Sequence, residues 1–321
     1  MKLFPLAALT AAMVVASLPG HAQTFPEKPI TFVVPFAAGT ATDQIARALG
    51  TQITAETKQA VVIDNKAGAS GFIASQSVAK APADGYTVLI TTNTTHAANE
   101  HLFKKLPYDP VKDFAPVAAL GKGGQIMVVN PSFPAKSVAE FIALAKKEPG
   151  KYSFGSGSSS SRMAGELLQQ MADIRLLHVP YKSNTLAVTD LLGGQINMMI
   201  TDTATGLPQV KAGKLRALGF SSSTRSALAP DVPTIAEAGV KGYEMGYWFA
   251  AYAPAKTPPA VVKRLNELLV KAAKSEAAKT AFYEPTGTEV FTSSPEELAK
   301  FQAGESQKWG RIVKAAGIEA E

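Results

Sequence analysis

At 321 residues, with 46% apolar and 18% charged side chains, the chain is globular rather than disordered and long enough for one large or two moderate domains. Its formal charge is +6, yet lysines and arginines are interleaved with acids, as in KKLPYDPVKD, and no basic run of the kind that binds nucleic acid is present. The absence of cysteine excludes disulfides, thiol nucleophiles and an acylated cysteine anchor.

The N-terminus carries Lys2, an apolar run from Leu3 to Leu18, and then PGHAQ, in which Gly20 and Ala22 are small residues at the positions a signal peptidase reads. Residues 1–22 are therefore expected to be an export signal cut after Ala22, leaving a freely diffusing periplasmic protein that is not a lipoprotein. The run is short for a membrane span, and no second apolar stretch long enough to cross follows Gln23. In that compartment the expected acidic partner is a small carboxylate.

From Pro29 onward, strand-like runs (ITFVVPF, AVVID, YTVLITT, IMVVN, YSFGSG, LLHVPY, INMMIT and LRALGFS) alternate with helical patterns such as DQIARALGTQI and MAGELLQQMA. That alternation predicts α/β layers with a mainly parallel sheet. After about Ala255 the pattern is nearly all helical, beginning at TPPAVVKRLNELLVKAAK, where Thr257 is placed to cap and Pro258 to take the first helical position. Two stretches read as domain crossings: GKGGQ (Gly121 to Gln125), after which a new strand is expected at Ile126, and GYEMGYWFAAYAP. Two crossings imply lobe I of residues 23–124 plus 248–321 and lobe II of residues 125–247, with the helical tail folded back onto the first.

The strand-to-helix junctions share a chemistry. In VVPFAAGTATDQIARAL, Thr40 sits three residues before Asp43, the spacing of a capping box in which the hydroxyl satisfies a helix amide; by itself this is an ordinary turn. LITTNTTHAAN, SFGSGSSSSRMAGE, VPYKSNTLAVTD and MITDTATGLP likewise end strands in small, hydroxylated or amide residues. In parallel α/β sheets such loops line the ligand crevice, and helix N-termini converging there present free amides to an anion. Arg162 can add a forked donor to a carboxylate or stand as a solvated residue. Catalytic patterns are weak: there is no HExxH, no GxSxG order and no P-loop. His178, in an apolar strand, reads as a hydrogen-bonded structural residue, and His96 as either a ligand donor in a cleft loop or a helix-end residue.

VVPFAAGTATD, LPYDPVKDFAPV, VNPSFPAKSVAEFIALAKKEPGKYSFGSG, HVPYKSNTLAVTDLLGGQI, VKAGKLRALGFSSSTRSALAPDVPTIAEAG and APAKTPPAVVKRLN, in that order along the mature chain, closely resemble the Bug or TctC family of extracytoplasmic solute receptors of tripartite tricarboxylate transporters. The resemblance implies an α/β, two-lobed periplasmic binding protein fold of type II, each lobe a mainly parallel sheet flanked by helices, with two hinge crossings. It implies a non-enzymatic receptor without cofactor or metal that closes on a carboxylate, held by main-chain amides, hydroxyls and bridging waters, and delivers it to a two-component integral membrane permease. A di- or tricarboxylate or an aromatic carboxylate fits, and a monomer is expected because a two-lobed receptor needs no second copy to form its cleft.

The expected ligand contacts are Phe36, Ala37, Ala38, Gly39, Thr40, Thr42, Thr94, His96, Ser156, Gly157, Ser158, Ser159, Arg162, Tyr181 and Asp202. Many family members carry glycine at positions 40 and 183, histidine at 162 and an aspartate near 201. Thr40 and Ser183 here narrow the pocket or add hydroxyls, and Arg162 offers a charge to a second carboxylate. Thr201 weakens the case for an amino-acid ligand, with Asp202 beside it as a possible substitute. Two other readings stand beside the transporter: a ligand-sensing subunit of a signalling system, and an enzyme acting on a small carboxylate through Asp43, His96 or Asp202.

Overall fold

A computed structural model describes residues 25–315 and 317–320, so the export-signal reading of residues 1–22 lies outside the described residues. In chain order the main elements are β1 (Ile30–Val34), α1 (Ala41–Thr57), β2 (Val61–Asn65), α2 (Phe72–Ala79), β3 (Thr87–Thr92), β4 (Phe114–Val129), α3 (Val138–Lys147), β5 (Ser153–Ser156), α4 (Ser159–Ala172), β6 (Leu177–Pro180), α5 (Asn184–Leu192), β7 (Met198–Asp202), α6 (Thr203–Lys211), β8 (Arg216–Phe220), β9 (Gly246–Pro254), α7 (Pro259–Lys274) and α8 (Pro295–Ala315).

Phe32, Val33 and Val34 of β1 are all buried, the mark of a strand covered on both faces. On one face lies α1, whose Ile45, Ala46, Leu49 and Ile53 recur at helical spacing and are buried. They share a cluster with Leu265, Leu268, Leu269, Ala272 and Ala273 of α7, so the helical tail packs on the first sheet. Each such leucine contributes on the order of 1.5–3 kcal/mol by leaving water.

The strand order is β2-β1-β3-β9-β4-β7-β5-β6, with β8 on the second edge of β4. β1 pairs in parallel with β2 and β3, and β5 in parallel with β6 and β7, giving two parallel blocks. Between them run the antiparallel strands β9 and β4, which join the blocks into a two-lobed α/β fold.

The expected start of a new strand at Ile126 is corrected by β4, which runs unbroken from Phe114 to Val129. Its first part pairs with β9 as far as Gly124 opposite Gly246, and from Gln125 it pairs with β7. The glycines in this strand answer to close packing rather than to a flexible linker. A Cβ on Gly123 would stand 2.6 Å from the Tyr247 hydroxyl, and one on Gly124 would stand 2.8 Å from Ser222 Cβ. The helix after Ala255 also begins one residue later than expected: Pro258 is the N-cap, Pro259 takes the first position, and the buried Thr257 hydroxyl caps nothing.

Candidate functional site

Four helices begin at the ends of strands around one point between the two parallel blocks. A cavity of about 30 Å³ there is lined by Phe36, Thr40, Ala41, Thr42, Thr92, Gln125, Gly157, Ser158, Ser160, Asn184, Asp202, Tyr247 and Phe249. Thr40 to Thr42 belong to the start of α1, Ser158 and Ser160 to α4, Asn184 to α5, and Asp202 to α6. Asp202 is the one charged residue on this lining.

The four helix starts are not equivalent. Ser158 accepts from the Ser161 amide, Ser183 from the Leu186 amide and Asp202 from the Thr205 amide, each a side-chain cap set by residues three apart. α1 has no side-chain cap. The expected capping role of Thr40 is therefore corrected: its hydroxyl donates to the Ala37 carbonyl at 2.7 Å, while the Asp43 carboxylate reaches back to the Gly39 amide at 2.9 Å. The physical reason is the tight loop itself, in which Gly39 sits at φ +82° and the Ala37 carbonyl lies nearer the hydroxyl than any helix amide does. The first amides of α1 are left for water or an anion.

Asp43 is a scaffold residue. Its carboxylate takes hydrogen bonds from Arg47, the Gly39 amide and Asn65, and Asn65 also donates to the Phe36 carbonyl. Burial works against its charged form, but these donors outweigh burial and hold the carboxyl below its ordinary value. On the opposite wall, Asn184 joins two loops, accepting from the Gly157 amide at 2.9 Å and donating to Asp202 at 3.1 Å. Gly157 has no room for a side chain: a Cβ would stand 1.9 Å from the Ser183 carbonyl carbon. Tyr247 lines the cavity and bonds Thr203 and Thr288, with burial raising its hydroxyl to about 12.

A second, outer cavity of about 380 Å³ shares Phe36, Gly157 and Ser158 with the first and adds Ser156, Ser159, Arg162, His178 and Tyr181. Arg162 lies 3.7 Å from Glu166, whose carboxyl is pushed up by burial despite that cation. The Ser156 hydroxyl and His178 Nε2 are 2.7 Å apart, and Tyr181 donates to Asp190.

The expected contacts thus separate. Phe36, Thr40, Thr42, Gly157, Ser158 and Asp202 line the inner cavity, and Ser156, Ser159, Arg162 and Tyr181 the outer one. Ala37, Ala38 and Gly39 line neither, Ala38 and Gly39 being exposed at the loop tip. Thr94 is buried with an unpartnered hydroxyl. His96 is fully buried in the core, stacked on Tyr252 with ring centres 3.8 Å apart, and burial drives it down to about 3. It is packed between rings because the chain after β3 turns inward through Thr94–Ala98, against which α8 packs.

As ligand contacts, sequence reading passed over Thr92, Gln125, Asn184, Tyr247 and Phe249. Thr92 and Asn184 stood in the junctions already singled out, whereas Gln125 was marked only as the end of the GKGGQ crossing. Among the described residues, no group of three or more His, Cys, Asp or Glu side chains could hold a metal ion, and no helix is long and apolar enough to cross a membrane.

Residues 45–318 match the family model described as tripartite tricarboxylate transporter family receptor. Protein BugT of Bordetella pertussis is 35% identical over 304 residues, covering 94% of this chain and 93% of BugT. Among solved structures, R. palustris Rpa4515 with adipate has a TM-score of 0.89 at 34% identity, covering 92% of this chain and 100% of that one. MatC from Rhodopseudomonas palustris with bound malate has a TM-score of 0.86 at 31% identity, covering 90% of this chain and 100% of that one.

Proposed function

This chain belongs to the tripartite tricarboxylate transporter receptor family, and we propose that it is a periplasmic receptor that captures a small carboxylate between its lobes and delivers it to a two-component membrane permease. The observation that carries this reading is the meeting of four helix starts at one cavity, with the amides of α1 left uncapped. A carboxylate placed there receives backbone N–H donors at the positive end of a helix dipole without needing a basic side chain. The adipate and malate held by two similar receptors support the ligand class.

The role is capture and release without chemistry. Of the acids and bases with catalytic potential, Asp43 is tied into its loop, His96 is stacked in the core, and Asp202 caps α6. Binding then amounts to closure of the lobes, with residues 23–124 plus 248–321 moving against residues 125–247 about β4 and the start of β9.

A thermal-shift screen of carboxylates tests the proposal, because a ligand that binds only the folded state raises its melting temperature. At least one small mono-, di- or tricarboxylate is expected to raise it in a concentration-dependent way and to be recovered unchanged. A screen in which no carboxylate does so overturns the reading.

A further inference from the structure

We infer that the inner cavity reads a hydrogen-bond donor on its ligand, so that the cargo is a carboxylate bearing a hydroxyl or ammonium group beside its carboxylate; this rests on the carboxylate reading above. The observation is Gln125. It is 1% exposed, it is among the residues that line the inner cavity, and its Oε1 is buried without a hydrogen-bond partner. Buried acceptors in native proteins are overwhelmingly paired, so an unmet one on the wall of a ligand cavity marks the place of a ligand donor.

Its neighbour fixes the sign. Gln125 pairs with Asp202 across the antiparallel β4–β7 ladder, so the two side chains leave the same face of the sheet. Asp202 is occupied by the Thr205 amide at 2.8 Å, the Thr205 hydroxyl at 2.7 Å and Asn184 at 3.1 Å. It therefore supplies negative charge while Gln125 supplies the open acceptor. A methylene placed here leaves Oε1 unmet, and a second carboxylate meets the charge of Asp202; a hydroxyl or an ammonium suits both groups. The cavity is only about 30 Å³ and the start of α1 lines it too, so the donor must sit within a bond or two of the carboxylate.

The test is calorimetry on two carbon skeletons: succinate against malate and aspartate, and adipate against 2-hydroxyadipate and 2-aminoadipate. In the parent, the substituted ligands of at least one skeleton are expected to bind about 10- to 100-fold more tightly than the plain one. Gln125→Met, close in shape but unable to accept, should abolish that preference. Gln125→Glu, which when ionised only accepts, should keep it. Asp202→Asn should weaken the amino ligands more than the hydroxy ligands, separating ammonium from hydroxyl. Melting of each ligand-free variant confirms folding, and two variants at position 125 guard against the loss of one.

Equal binding of plain and substituted ligands by the parent overturns the inference while leaving the carboxylate reading intact. So does a preference that survives Gln125→Met, or loss of plain succinate or adipate binding in both position-125 variants, which would make Gln125 a donor to the carboxylate. Absence of binding by every ligand overturns this inference, while the carboxylate reading stands or falls on the thermal-shift screen.

Discussion

The Ser159 hydroxyl donates to Asn99 Oδ1 at 2.7 Å, joining the first turn of α4 to the segment that follows β3. The two residues follow strands of different parallel blocks, so the bond joins the two blocks. Asn99 is itself held, donating to the Ser70 carbonyl and the Tyr108 hydroxyl. A contact made only when the lobes are closed adds directly to the closure equilibrium and hence to apparent affinity.

Ser159→Ala removes that contact and leaves the bonds of Asn99 to its own block. A bond of this kind contributes about 0.5–1.5 kcal/mol, so affinity for a bound carboxylate should fall up to roughly tenfold. Small-angle scattering should show a larger radius of gyration for ligand-free Ser159→Ala than for the parent, with both compact at ligand saturation. Equal affinity and equal ligand-free size in the two proteins would remove this bond from the closing mechanism.

Gly157→Ala is expected to be severe. The new methyl would overlap the Ser183 and Asn184 backbone at 1.9 to 2.3 Å, and backbone, unlike a flexible side chain, cannot step aside cheaply. Overpacking of this sort costs about 1–3 kcal/mol or more. Separation of the two loops also breaks the bond from the Gly157 amide to Asn184, so carboxylate binding should be lost even where the variant folds. Chemical denaturation and calorimetry check the two parts; a variant as stable and as tight-binding as the parent contradicts the packing argument.

Arg162 and Glu166 should act in opposite directions on a ligand that reaches the outer cavity. Their 3.7 Å pairing means that Glu166 competes with any ligand carboxylate for the guanidinium. Arg162→Ala should weaken a long dicarboxylate more than its monocarboxylate analogue, by less than the roughly 2–5 kcal/mol typical of a fully desolvated pair. Glu166→Gln should strengthen the dicarboxylate. If both substitutions leave the two ligands unaffected, Arg162 has no part in recognising a second carboxylate.

His96 predicts an acid sensitivity. Burial lowers it from an ordinary 6.5 to about 3, so between those values the unfolded chain holds a proton on this ring that the folded chain does not. Stability contributed by the neutral ring is present above the unfolded value and falls as pH falls, by up to about 1.4 kcal/mol per pH unit. His96→Phe keeps a ring against Tyr252 and removes the titration. Urea denaturation should show a flatter acid limb in this variant between about pH 6 and pH 4; parallel limbs would refute the assignment.

Local chemistry made much of this protein legible before any coordinates. β-Branched runs separated by helical periodicity specify strands and helices over a few residues, and every strand-like run singled out holds a strand. The small residues at the strand ends are equally local, and so are the caps that form at Ser158 and Ser183, because a hydroxyl reaches an amide only three residues away; the caps read from the sequence were instead Thr40 and Thr257, which the structure corrects. That is why Phe36, Thr40, Thr42, Gly157, Ser158 and Asp202, which line the inner cavity, could be named. The tertiary structure decided whatever depends on partners distant in the chain. Phe114 to Gly124 becomes strand because β9, more than a hundred residues later, pairs with it, and its glycines are required by Tyr247 and Ser222. His96 looks like a loop histidine until Tyr252 stacks on it. Gln125 shows in the sequence only as the end of the GKGGQ crossing: the β4–β7 register sets it beside Asp202, and the packing around it leaves its Oε1 buried without a donor.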